Sequence, residues 1–333
     1  MAKMRLNILD QSPVSAHENS QQALDNSLKL AKKAEELGYN AMLYSEHHAV
    51  KGYAGSSPEI MAAHILANTK HIKVGTAGIM LRHYSALKVA EWTKMMNTLY
   101  PNRFILGLGR APGGLRPTIL ALNNHKLPTL SDIDQKLKDV LLLVNEEETQ
   151  YRSLKVQPDF MESLPQVYWL GSSMRSAKMA AQNGVGLSFF TFMEDMDMQF
   201  RKEYENNFRA SFFLPVPRSQ AAIAVSVAED LETAKKNAYG MVYQFLESKK
   251  MEEPMPIENW QEIEKKVIYR KEQKLFENLL NFVVLGTPST IGQKLKDISE
   301  KYKADELTIL SNLNDFGDKI RNFEYIMEGV ERM

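Results

Sequence analysis

The fold class this sequence predicts is α/β, a single (β/α)8 TIM barrel with insertions. Three observations predict it. Short apolar runs alternate with stretches of helical periodicity. Those runs are apolar on both faces, as parallel strands covered by helices must be. Eight such units fit into 333 residues, because a barrel of this kind takes roughly 250 and leaves about 80 for insertions.

The first unit is Leu6 to Leu9, a Ser12-Pro13 turn, and then Ala23, Leu24, Leu28, Ala31, Ala34 and Leu37 at helical spacing, closed by Gly38. Strand Ala41 to Tyr44 precedes helix Pro58 to Asn68. Strand Ile72 to Leu81 precedes helix Ala86 to Leu99, and strand Phe104 to Leu108 precedes helix Asp132 to Val144. The second half supplies strands at Val167 to Leu170, Gly186 to Phe190 and Ala221 to Val227, and an eighth at Glu306 to Leu310 with Phe316 to Val330 as its helix. An open doubly wound sheet is the alternative, and it requires an edge strand to be missed or invented. The chain reads as one domain over 1–333, with insertions at 111–130, 146–165 and 241–284. Within the last, Lys249 to Pro256 reads as a solvated charged excursion, with a mobile lid over the barrel mouth as the functional alternative.

Lys plus Arg and Asp plus Glu both count 41, so no net field favours nucleic acid or an anionic membrane. A small-molecule substrate is the expected partner. Cysteine is absent, which excludes disulfides and thiolate chemistry and fits a reducing compartment. The N-terminus lacks the apolar core of a signal peptide, and no apolar run approaches the roughly 20 residues of a membrane span. A cytoplasmic protein with no membrane partner is expected. The 18 methionines read as packing residues.

Active sites of such barrels lie where strands end, and four strand ends are rich in chemistry: Ser45-Glu46-His47-His48, Arg82-His83-Tyr84, Gly107 to Gly114, and Gly171 to Ser176. In the last, a glycine, hydroxyls and a following helix N-terminus form an anion site, or else an ordinary serine cap. Arg110, at the adjacent strand end, can add a planar fork to a phosphate. The dinucleotide pattern G-x-G-x-x-G fails because Pro112 stands at its third glycine, and no P-loop occurs. No metal site is expected from Glu46-His47-His48, since neighbours on a strand point to opposite faces. A histidine there is either structural or a proton-transfer residue.

Taken in order, Ser12-Pro13-Val14, Ser45-Glu46-His47-His48, Ser56-Ser57-Pro58-Glu59, Val74 to Leu81, Tyr100-Pro101-Asn102-Arg103-Phe104, Gly109 to Gly113, Leu170 to Ala177 and Gly286-Thr287-Pro288 resemble the bacterial luciferase-like flavin-dependent monooxygenase family. The resemblance covers nearly the whole chain. It implies a barrel that binds FMN, reduced during turnover, with the phosphate held by Arg110 and by the segment Ser172, Ser173, Met174 and Ser176. It implies a non-prolyl cis peptide under the flavin ring at Thr76, Ala77 and Gly78, and a catalytic role for His47. His83 and Tyr84 are then expected at the ring or substrate. Two departures stand out: Arg82 where relatives commonly have proline, and Gly114-Leu115-Arg116 in place of a more usual Thr-Asp. Arg82 and Arg116 are thus candidates for recognising an anionic substrate.

The implied reaction is monooxygenation of a small organic substrate by reduced FMN and dioxygen. The reductant is NAD(P)H acting directly or a separate flavin reductase. A non-catalytic flavin-binding protein and a deazaflavin-dependent dehydrogenase are the alternatives. A homodimer is expected through the helices after strands two and three (Ile60, Ile65, Leu66; Leu87, Val89, Ala90, Trp92), with burial in the barrel core as the other reading of those side chains.

Overall fold

The N-terminal apolar run forms β1 (Arg5–Asp10), buried from Leu6 onward. The computed structural model describes residues 4–147, 149, 154–192 and 198–333. The further strands are β2 (Ala41–Tyr44), β3 (Lys73–Thr76), β4 (Ile79–Met80), β5 (Phe104–Gly109), β6 (Gln166–Leu170), β7 (Gly186–Phe190), β8 (Ser219–Val227), β9 (Val283–Gly286) and β10 (Glu306–Leu310). The helices are α1 (Ser20–Glu36), α2 (Pro58–Asn68), α3 (Ala86–Leu99), α4 (Arg116–Leu122), α5 (Leu130–Val144), α6 (Met174–Gln182), α7 (Gln199–Asn206), α8 (Leu231–Lys249), α9 (Trp260–Tyr269), α10 (Gln273–Leu280), α11 (Ile291–Tyr302) and α12 (Phe316–Glu331).

Strands β1, β2, β3, β5, β6, β7, β8 and β10 form a closed parallel ring, sealed by the register Gln220↔Glu306 to Ala224↔Leu310 between β8 and β10. The helices lay apolar faces on it: Leu30 and Ala34 of α1, Ile65 of α2, Val89 of α3 and Leu137 of α5 are fully buried. Each large side chain among them contributes about 1.5–3 kcal/mol. At the N-terminal strand ends the Glu306 carboxylate accepts from Asn7 Nδ2 at 2.8 Å and Gln220 Nε2 at 2.9 Å, with Arg5 at 3.8 Å, so the barrel floor is a satisfied polar layer.

The sequence reads Ile72 to Leu81 as one strand, and the structure divides it. β3 ends at Thr76, the Ala77–Gly78 peptide is cis, and β4 resumes pairing with β5 at Ile79↔Leu108. Strands β3 and β5 approach so closely that a Cβ on Gly107 would lie 2.0 Å from Thr76 O. In that contact Thr76 Oγ1 donates to Gly107 O (2.8 Å) and accepts from Gly107 N (3.0 Å).

Two of the three segments read as insertions carry more regular structure than their sequence suggests, while 146–165 holds no helix or strand among its described residues, and 148 and 150–153 lie outside them. α4 lies within 111–130. In 241–284, α8 continues to Lys249, α9 and α10 follow, and β9 begins at Val283. Among the described residues β9 pairs with the C-terminal half of β8 alone, Ala224↔Val283 to Val227↔Gly286, where β8 runs on beyond its pairing with β10. Among the described residues no helix is long and apolar enough to cross a membrane.

Of the side chains considered for a subunit contact, Ile65, Leu66, Val89 and Ala90 are core, and Leu87 and Trp92 pack against it half-buried. Ile60 is exposed, as are Met95 and Leu99 on α3.

Candidate active site

The C-terminal strand ends surround a cavity of about 480 Å³, within the roughly 300–1,000 Å³ usual for small-molecule sites. Residues of β1, β2, β5, β6, β7, β8 and β10, or just beyond them, reach its wall.

One side of the cavity is built for an anion. Arg110 follows β5, and its Nη2 donates to Ser173 Oγ (3.1 Å) and Ser176 Oγ (2.8 Å). Ser173 caps α6, accepting from Ser176 N at 3.2 Å. The cap and the arginine contact therefore coexist. Gly171 brings the chain in: at φ 153°, with a would-be Cβ 2.3 Å from Ser176 Oγ, the position admits no side chain. Among the described residues Arg110 forms no ion pair, whereas neighbouring Arg175 pairs with Asp134. Burial lowers the Arg110 pKa, partly offset by Asp134. A desolvated guanidinium bound only to hydroxyls is an unfinished electrostatic arrangement, and a phosphate would complete it.

The same cavity wall holds His47. Ser45 Oγ lies 3.1 Å from His47 Nδ1, which leaves Nε2 without a partner among the described residues. Burial, and secondarily His48, lower its pKa from 6.5 to about 4. The ring is therefore neutral at physiological pH, with one nitrogen committed to Ser45 in either tautomer. Ala77, Gly78 and Met80 also line the cavity, and Phe190 and Phe192 give it an aromatic wall. Phe192 stacks on Phe245 at 5.2 Å.

The cavity wall brings together His47, Ala77, Gly78, Arg110, Ser172, Ser173 and Ser176. The remaining site candidates stand outside it. Thr76 faces Gly107, and Met174 is exposed on the first turn of α6. After Met80 a 3-10 turn, Leu81–His83, leads the chain away from the mouth. His83 is consequently held by Pro112 O (2.9 Å) and Asn123 Nδ2 (2.8 Å), and neither Arg82 nor Arg116 reaches the cavity wall.

Tyr84 donates to Glu46 Oε1 at 3.0 Å. Glu46, fully buried, also accepts from His48 (2.6 Å) and Met80 N (2.9 Å), and so ties the loops after β2 and β4 together. Sequence reasoning weighed Glu46 only as a metal ligand. The available signal was a lone carboxylate just past an apolar strand end, between Ser45 and His47, which burial obliges to find donors.

An arginine-and-serine cradle and a neutral histidine thus share one cavity at the open end of a TIM barrel. The chain belongs to the luciferase-like monooxygenase family, whose pattern matches residues 4–305. It is 34% identical over 330 residues to the uncharacterized protein YwcH of Bacillus subtilis (strain 168), covering 97% of this chain and 98% of that protein. It is 28% identical to an N-acetyl-S-alkylcysteine monooxygenase of the same organism, over 98% of both chains. Among solved structures, apo-MsnO8 superposes with a TM-score of 0.86 at 26% identity over 99% of both chains. The fold is shared, at 16% identity and a TM-score of 0.74 over 98% of both chains, with the FMN complex of the oxygenating constituent of 3,6-diketocamphane monooxygenase from Pseudomonas putida.

Proposed function

We propose that this protein is an FMN-dependent monooxygenase acting on a small, uncharged organic substrate with reduced flavin and dioxygen. The observation that carries the reading is Arg110: half-buried, bound to two serine hydroxyls, and lacking a carboxylate partner among the described residues. FMN is the fitting ligand because its phosphate supplies the missing charge while its ring needs an apolar slot such as that between Met80, Phe190 and Phe192. The bound flavin supplies two electrons to dioxygen, so that one oxygen atom enters the substrate and the other leaves as water.

The chain's own residues bind, orient and shelter. Arg110, Ser172, Ser173 and Ser176 hold the phosphate, and Gly78 lets the backbone approach the ring. The aromatic wall excludes water. His47, neutral and fixed through Nδ1, offers Nε2 to hold or move a proton at the substrate. Apart from Arg110 and His47, no ionisable side chain is among the described residues of the cavity wall, which is why the substrate is assigned as uncharged. The reductant is NAD(P)H directly or through a separate reductase. Two copies are assigned to pair through α2 and α3, where Ile60 on the one and Met95 and Leu99 on the other are exposed apolar side chains.

The test is FMN titration by flavin fluorescence, followed by reaction of the reduced complex with labelled dioxygen and a panel of neutral carbonyl and thioether compounds. Label in the product supports the monooxygenase. Tight FMN binding with no product and no substrate-dependent change in reoxidation would identify a flavin-binding protein instead. Preference for a deazaflavin over FMN would overturn the cofactor assignment.

A further inference from the structure

The side of His47 turned away from the cavity is covered by Tyr53, with ring centroids 4.3 Å apart and planes at 33°. Tyr53 is buried and belongs to the loop between β2 and α2, not to the cavity wall. That loop returns to its own start, since His47 N donates to Gly55 O at 2.9 Å, but it has no regular structure to hold its shape.

What holds it comes from two hundred residues downstream. Gly52 N donates to Pro254 O (2.8 Å), and Lys51 N donates to Glu253 Oε1 (2.9 Å). Tyr53 OH donates to Gln244 Oε1 (3.3 Å), whose amide in turn donates to Met255 O (3.1 Å). A Cβ on Gly52 would lie 2.7 Å from Pro254 O and 2.8 Å from Met255 O, so the two backbones meet where only glycine fits. The loop after β1 completes the junction: Val14 N donates to Gly52 O (3.0 Å) and Ile257 N donates to Val14 O (2.8 Å). Lys249 to Pro256 is therefore a docked segment in this structure.

We propose that Tyr53 is the positioning residue behind His47, and that Gln244 with residues 250–257 is the brace that keeps Tyr53 in place. The consequence for turnover rests on the function proposed above; the placement of His47 does not. Tyr53 closes one face of the imidazole to water while Ser45 fixes Nδ1, so the ring presents a set nitrogen to the cavity in neutral form. The charged and titratable groups around the pair are His48 and Glu46 on the same loop, Arg110 on the same cavity wall, Glu247 on α8, and Glu252 and Glu253 on the brace. Of these, Glu46 is engaged by His48, Tyr84 and Met80 N, and Glu252 by Arg270.

The experiment is an NMR titration of the full-length protein with labelled histidine, the His47 signal being assigned by its loss in His47→Gln. Wild type and Tyr53→Phe are expected to titrate near 4, because the ring that covers His47 is retained. Tyr53→Ala admits water, and its titration point should rise toward 6.5, by two units or about a hundredfold in proton affinity. Gln244→Ala, which removes the bond to Tyr53 and the bond to Met255 O, should raise it by a smaller amount.

A folded Tyr53→Ala protein in which His47 still titrates near the wild-type point would overturn the proposal. If Tyr53→Ala does not fold, Gln244→Ala decides: an unshifted His47 signal overturns the brace. These readings do not need turnover, so failure of the monooxygenase assignment leaves them interpretable.

Discussion

Replacing Arg110 by alanine separates binding from folding. In the free protein the guanidinium has two hydroxyl contacts, at 3.1 and 2.8 Å, and no ion pair among the described residues. Losing those contacts is offset by removing a desolvated charge, so stability without ligand should change by about 1 kcal/mol or less. With FMN the arginine would make two charge-assisted bonds to the phosphate, worth roughly 1.5–3 kcal/mol each before the geometry is shared with the serines. Taking about 3 kcal/mol in all, the dissociation constant rises about a hundredfold.

Thermal unfolding reads both terms. At FMN one hundred times the wild-type Kd, binding stabilises the wild type by about 2.7 kcal/mol. That corresponds to about 4 °C for a chain of this length. The variant at the same concentration gains about 0.4 kcal/mol, under about 1 °C. An FMN-induced shift equal to wild type would refute the phosphate assignment. A fall of many degrees without FMN would show Arg110 to be a structural residue.

Gly107→Ala would drive a methyl group to 2.0 Å from a backbone oxygen of β3, and stability in urea should fall by about 3 kcal/mol or more; an unchanged midpoint would contradict the close approach of β3 and β5. Lys319 and Asp10 form a buried pair at 2.9 Å. Lys319→Met leaves the carboxylate unpaired and should lower stability by about 3–5 kcal/mol, with Asp10→Asn in the same chain recovering part of it. The pH dependence follows from His47, whose pKa is about 4 folded against 6.5 free. Between those values the unfolded chain binds more protons, so stability is fully present above 6.5 and declines as pH falls toward 4, by up to about 3 kcal/mol. His47→Gln should remove that portion of the slope, and an identical slope in the variant would assign it to other groups.

The eight ring strands were legible because each carries consecutive apolar residues and is separated from the next by helical periodicity, which is the signature of a covered parallel sheet. β9 was hidden. Its Val283 to Gly286 is four residues long and follows three helices, and its partner is the overhang of β8, whose existence depends on the unequal lengths of β8 and β10. The cradle segments were legible as serines after a glycine and an arginine one strand away, since register puts neighbouring strand ends side by side: Gly109 pairs with Leu170. The displacement of His83 and Tyr84 was not legible. It follows from the turn at Leu81–His83 and from the demand of a buried Glu46 for donors, and both are properties of three dimensions. The docking of 250–257 was obscured by its own composition, because charges suggest solvent while its backbone groups are spent on the loop carrying Tyr53.

The two ends of the barrel treat buried charge in opposite ways. Glu306, at the floor, is surrounded by Asn7, Gln220 and Arg5, all arriving from strands that the ring itself brings together, so folding alone completes its environment. Arg110, at the mouth, has been taken partly out of water and given hydroxyls that orient it without neutralising it. Desolvating a cation costs free energy in the absence of a counter-charge, and folding has left that debt to be met by something outside the chain. An anionic group arriving at the α6 N-terminus would find the charge oriented and partly desolvated. Affinity there would come from the arrangement being incomplete, and it follows that filling the cradle from within, for instance by Ser173→Asp, whose carboxylate can keep the α6 cap beside Arg110, should weaken FMN binding more than Arg110→Ala does, since a tethered carboxylate would occupy the site and repel the phosphate.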